Sequence, residues 1–161
     1  MTDIQTTPAT AADPTVAAGS AQFLTPVVLG LQALAVNGKQ AHWNVRGANF
    51  IAIHELLDQI VDHARQAADD AAERIVALGL PIDARTSTIA QKVAPTAVPA
   101  GFTPWQEIVR DMIADMDAVI VDVKTAIEGL DEVDLTSQDV ALAIMQTLEK
   151  DRWFLFAHLA E

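Results

Sequence analysis

The apolar positions fall into four long stretches. The first is almost uncharged and runs from about Ser20 or Thr25 to Val45. Leu31, Ala35, Gly38 and His42 recur in it at helical spacing, and Pro26 suits a first turn capped by Thr25. The second runs from Phe50 to Leu78 and stops at Gly79-Leu80-Pro81. Residues 81–102 hold three prolines and form a long connection, with a short helix expected over Thr88–Lys92. The third helix is expected to open at "TPWQ", with Thr103 as cap, Pro104 in the first turn and Gln106 completing a capping box. Ile108, Met112, Met116, Val119, Val123 and Ile127 give it an apolar stripe, and Gly129 ends it. After an acidic turn, a fourth helix spans about Ser137 to His158.

This order predicts an all-α fold. Four long helices form a bundle, and the longest link, between helices 2 and 3, carries a short helix as it crosses over. That is the ferritin-like topology class. Residues 1–19 are rich in Thr, Ala, Pro and Asp without apolar period, and read as a flexible tail before a bundle domain at 20–161.

Composition supports the helices. Hydrophobic residues make up 51% of 161, Tyr is absent, and aliphatic side chains dominate. The absence of Cys excludes disulfides, zinc ribbons and iron–sulfur clusters. Neither a secretory signal nor an uninterrupted run of 18 apolar residues is visible, so a cytoplasmic protein without a membrane partner is expected. The net charge is -12, from 22 acidic and 10 basic residues, and the first basic residue is Lys39. Such a surface repels phosphate backbones and attracts cations.

Helix 2 carries His54, Asp58, Asp62, Arg65, Asp69 and Glu73. His54 and Asp58 share one helical face, as do Asp69 and Glu73. The 11 residues from Asp58 to Asp69 keep both pairs on that face but separate them by roughly 16 Å, too far for one ion held at roughly 2 Å. The pairs 54/73, 58/69 and 62/65 nevertheless share one midpoint, between His63 and Ala64. Two antiparallel copies about a two-fold axis there would bring His54 and Asp58 of one chain to Glu73 and Asp69 of the other. Asp62 would meet Arg65 of the partner and fix the register. Mixed imidazole and carboxylate donors suit iron or a similar divalent metal. His63 lies about 140° around the helix from Asp58, which makes it a surface or interface residue. His158 is not expected to be a ligand, and Trp105 and Trp153 are expected in the core.

The stretches "KQAHWNVRGANFIAIHELLD", "DDAAERI" and "EKDRWFLFAH" resemble the Dps-type miniferritins (DNA-binding proteins from starved cells), from about residue 24 onward. The resemblance implies a hollow shell of twelve subunits with ferroxidase sites at two-fold interfaces. His42, His54 and Asp58 would come from one chain, and Asp69 and Glu73 from its partner. It also implies that Fe(II) is oxidised, preferably by hydrogen peroxide and otherwise by O2, with Fe(III) stored inside and the cell protected from oxidative damage. Trp43 would lie beside the site and intercept stray oxidising equivalents, and Asp131, Glu132, Asp134 and Asp139 would line three-fold pores admitting Fe(II). Ordinary ferritins use Glu-x-x-His motifs within one bundle, and no Glu here precedes a His by three residues. The chain departs from the family's name in lacking a basic terminal tail, so DNA binding is not expected. The alternative, metal-dependent hydrolysis of amides such as N-acyl amino acids, could use the same ligands as a main or additional activity.

Overall fold

A computed structural model describes residues 12–159. Seven elements follow in order: α1 (Pro14–Asn44), β1 (Val45–Arg46), α2 (Phe50–Ala77), α3 (Thr86–Lys92), β2 (Thr103–Pro104), α4 (Trp105–Leu130) and α5 (Leu135–Ala157). The four long helices form the ferritin-like bundle. The crossover between α2 and α4 carries the short α3, beginning two residues before its expected start.

α1 begins at Pro14 rather than at Ser20 or Thr25, so residues 14–19 of the expected tail are helical; residues 1–11 lie outside the described residues. The reason is local. Asp13 takes an extended conformation and its carboxylate accepts from the Thr15 N–H at 2.8 Å, while Pro14 enters where no N–H is required. Pro26 is therefore inside the helix, and Thr25 hydrogen-bonds back to the Ala21 carbonyl at 2.7 Å instead of capping.

Thr103 does not cap α4 either. Thr103–Pro104 pairs in parallel with Val45–Arg46, and the Thr103 hydroxyl donates to the Gly101 carbonyl. The crossover is thus pinned, where it lands, to the α1–α2 turn. α5 starts at Leu135, two residues early, because Asp134 supplies its cap through the Ser137 N–H.

The core runs the length of the bundle. Leu31 and Leu34 of α1, Leu57 and Ile60 of α2, Met112 and Met116 of α4, and Leu148 and Leu155 of α5 are among its buried members. Each such side chain contributes about 1.5–3 kcal/mol relative to exposure. α1 is long and apolar enough to cross a membrane by length and composition, but half of that apolar window is buried inside the bundle. Close approach of α1 to α2 depends on Gly38, where a Cβ would lie 2.7 Å from Val61 Cγ2.

Candidate metal centre

The α1–α2 connection is short, and the two helices pack as an antiparallel hairpin about it. Gly47 turns the chain at φ 118°, a backbone that side chains other than glycine's rarely adopt. Residues equidistant from this turn face one another. His42 and His54 each stand six residues from Ala48, and the fold brings them together.

Their rings stack with centroids 3.6 Å apart and planes 20° apart. His42 Nδ1 donates to the His54 carbonyl at 2.8 Å, and His54 Nδ1 donates to the His42 carbonyl at 2.9 Å. This reciprocal pair fixes both tautomers: with Nδ1 carrying the hydrogen, each neutral ring keeps its lone pair on Nε2. Metal-binding histidines are commonly oriented by such a bond from the other nitrogen. His42 is buried, at 6% exposure, and Phe50 packs on the His54 ring at 4.9 Å.

Asp58 completes the single-chain cluster. One carboxylate oxygen lies 3.4 Å from His42 Nδ1 and 2.5 Å from Lys39 Nζ. The Lys39 hydrogen bond is the chief reason that the Asp58 carboxyl is held below its ordinary pKa; slight burial opposes this, and the nearby histidines and the Lys39 charge assist. The Lys39 ammonium also lies 5.9 Å from the centroid of the Trp43 ring, which is 62% exposed beside the histidines.

Asp69 and Glu73 are not brought to this cluster. Both are exposed farther along α2, and neither makes a hydrogen bond or ion pair with another described residue. Among the described residues, one chain gathers no group of three or more metal-binding side chains close enough to hold an ion. Asp62 and Arg65, expected to pair across a two-fold, stand 3.8 Å apart on the surface of their own helix.

The acidic turn divides. Asp131, Glu132 and Asp139 are exposed, and Asp131 accepts from Gln138. Asp134 is committed inward. It caps α5, accepts from the Ser137 hydroxyl, and pairs with Arg74 Nη2 at 2.7 Å. Burial opposes its ionisation, but Arg74 and Ser137 outweigh that and hold its pKa at about 2. All of these contacts fall on one carboxylate oxygen, Oδ2.

Two features are invisible in the linear pattern. Asp151 is 2% exposed on α5, and both of its oxygens face His63 Nδ1, at 2.8 and 3.1 Å. His63 is thus the partner of a buried carboxylate. Trp153, expected in the core, is 63% exposed, whereas Trp105 packs against the core as expected. His158 ends α5 as its cap residue.

A ferritin-like domain model matches residues 28–161. The DNA protection during starvation protein of Mycolicibacterium smegmatis is 39% identical over 131 residues, covering 75% of this chain. This chain spans 66% of that protein's length. The protein of the same name from Agrobacterium fabrum is 34% identical over 129 residues, covering 80% of each. Among solved structures, Dps from Microbacterium arborescens is 69% identical with a TM-score of 0.91, covering 93% of this chain and 98% of that one. On sequence and fold together, the chain belongs to the Dps-type miniferritins of the ferritin-like family.

Proposed function

We propose that the protein is a ferroxidase and iron store whose substrate is Fe(II), oxidised at sites shared between two subunits. One subunit supplies His42, His54 and Asp58, and its two-fold partner supplies Asp69 and Glu73. The observation that carries this reading is the reciprocal His42–His54 pair, which leaves the Nε2 lone pair of each neutral ring free of the backbone, with an Asp58 oxygen 3.4 Å from His42 Nδ1. Imidazole and carboxylate together suit iron, and carboxylates favour the Fe(III) product. The shared midpoint of the α2 positions supplies the missing ligands from an isologous copy.

The reaction balances within such a site. Two Fe(II) ions each give one electron to hydrogen peroxide. The O–O bond breaks, two protons are taken up, and two waters form. Paired one-electron donors avoid a hydroxyl radical, and Trp43, exposed beside the histidines, is placed to intercept any that escapes. O2 is the slower alternative oxidant. Fe(III) is then stored inside a shell, which we take to be a dodecamer acting in the cytoplasm. Asp131, Glu132, Asp134 and Asp139 are the candidates for lining an Fe(II) entry pore, the three exposed ones, Asp131, Glu132 and Asp139, before Asp134. With -12 charges per chain, the shell does not hold DNA. No observation in the structure favours the amide-hydrolase alternative.

The test is to load the apo shell with Fe(II), add peroxide and follow Fe(III) formation in the wild type and in Asp58→Ala. The wild type should oxidise rapidly and the variant slowly. Equal rapid oxidation would remove Asp58 from the site.

A further inference from the structure

A second feature lies away from the histidines, between α1, the crossover and α4. A cavity of about 970 Å³ opens there, at the upper end of the range typical of small-molecule sites. Pro26, Leu29, Leu34, Ile82 and Val119 give it apolar walls.

Its polar groups are unevenly satisfied. Asp83 accepts from Arg85 and Thr88, and Asp115 accepts from Asn37 at 3.1 Å and Thr96 at 2.5 Å. Asp122 alone among the wall's carboxylates has no hydrogen bond or ion pair with a described residue. Burial pushes its carboxyl above the ordinary pKa, the mark of an anion short of solvent and partners. Gly30 packs close to this part of the wall: a Cβ there would lie 3.3 Å from Val119 Cγ2 and 3.8 Å from Asp122 Oδ2. Pro26 has no N–H to offer the carbonyl of Gln22, one turn earlier, and both residues line the cavity. The wall also includes the exposed Lys92, which has no ion-pair partner among the described residues.

We propose that this cavity binds an organic ammonium, a primary amine carried on an apolar body, with its –NH3+ donating to the Asp122 carboxylate. The apolar body would lie against Leu29, Leu34 and Val119, and the Gln22 carbonyl would accept a second donor on a longer ligand. Charge complementarity selects a cation over an anion or a neutral chain of the same length, because a cation supplies the partner that the half-buried Asp122 carboxylate lacks. The site is independent of the iron reading, since none of its residues belongs to the His42–His54 cluster.

The probe is n-hexylamine, protonated at neutral pH as a lysine side chain is. Its binding to the assembled protein is measured by titration calorimetry, with hexanol and hexanoate as controls. Saturable binding of one hexylamine per chain is expected. Asp122→Asn, which keeps the shape, should weaken it about tenfold, the loss appropriate to a charge-assisted hydrogen bond. Ala118→Phe, which fills the cavity from an exposed position on α4, should abolish it, and hexanol should bind at least about tenfold more weakly than the amine. Absence of saturable hexylamine binding would overturn the proposal. So would unchanged affinity in either variant, or hexanol binding as tightly as the amine.

Discussion

Lys39 and Asp58 form an ion pair of 2.5 Å on the same carboxylate that the candidate centre offers to Fe(II). The ammonium sits where a metal cation would compete for that oxygen, and it also neighbours Trp43. On the proposed function, Lys39 is a counter-ion that Fe(II) would displace. Lys39→Gln should raise the affinity for Co(II), used as a redox-silent surrogate, by several-fold. Since Asp58 is half exposed, salt should shrink the difference. Competition titrations at low and high salt check this, and weaker Co(II) binding in the variant would show that Lys39 organises the site instead.

The His63–Asp151 pair makes a prediction about stability. Asp151 is buried and its hydrogen bonds come from His63. Removing the imidazole leaves a carboxylate without a donor, which costs about 1–3 kcal/mol. His63→Ala should lower the denaturation midpoint by that amount, and Asp151→Asn should reduce the penalty of losing His63. Chemical denaturation of the two single variants and the double variant measures the coupling. Additive losses would show the contact to be energetically idle.

Asp134 links the α5 cap to pH. Its folded pKa of about 2 lies below the ordinary value of 3.8, so its contribution is present above the ordinary value and lost as pH falls toward 2. The shift corresponds to about 2 kcal/mol at neutral pH. Asp134→Asn should therefore be less stable than the wild type at pH 7, and the gap should close below about pH 3. Denaturation midpoints across that range are the readout. A gap that persists undiminished in acid would assign the loss to packing rather than charge.

Gly47 joins the turn to the crossover's landing point. Its φ of 118° disfavours any side chain, and a Cβ would lie 2.9 Å from Trp105 Cδ1. Gly47→Ala should cost about 1–3 kcal/mol. It should also change the tryptophan emission, because Trp105 must move. An unchanged midpoint together with unchanged emission would mean that the turn relaxes freely.

Much of the fold is legible in the sequence because buried faces repeat at helical spacing. The stripe from Ile108 to Val123 is buried as its pattern requires. The helix starts are less legible, since several residues could cap each one. Asp13-Pro14 offers the same cap-and-proline chemistry as Thr25-Pro26, and the chain starts its helix at the earlier pair, where Asp13 caps the Thr15 N–H. Thr103-Pro104 reads as a helix start but pairs with Val45–Arg46, a contact 58 residues distant that no local pattern contains. In the site, the meeting of His42 with His54 follows from their equal distance from the turn. Lys39 and Asp58, nine and ten residues from Ala48, meet on the same hairpin one residue off that symmetry. The reciprocal backbone bonds were hidden because they depend on ring orientation. His63–Asp151 was hidden because a lone histidine at a solvent-facing angle gives no sign of a carboxylate beneath it.

The charge distribution predicts how the protein meets nucleic acid. With 22 acidic residues against 10 basic, duplex DNA should migrate unretarded in a gel-shift assay at physiological salt. Robust retardation there would mean that a local patch overrides the net charge.

Subunit complementation tests the shared centre most directly. Asp58→Ala breaks one half of each site and Glu73→Ala the other, so shells of either variant alone should oxidise Fe(II) slowly with peroxide. When the two are unfolded together and reassembled at equal ratio, half of the two-fold pairs are mixed. Each mixed pair contains one site with every ligand intact, so about a quarter of the wild-type rate should return. A co-assembled shell no faster than its parents would contradict a centre built from two subunits.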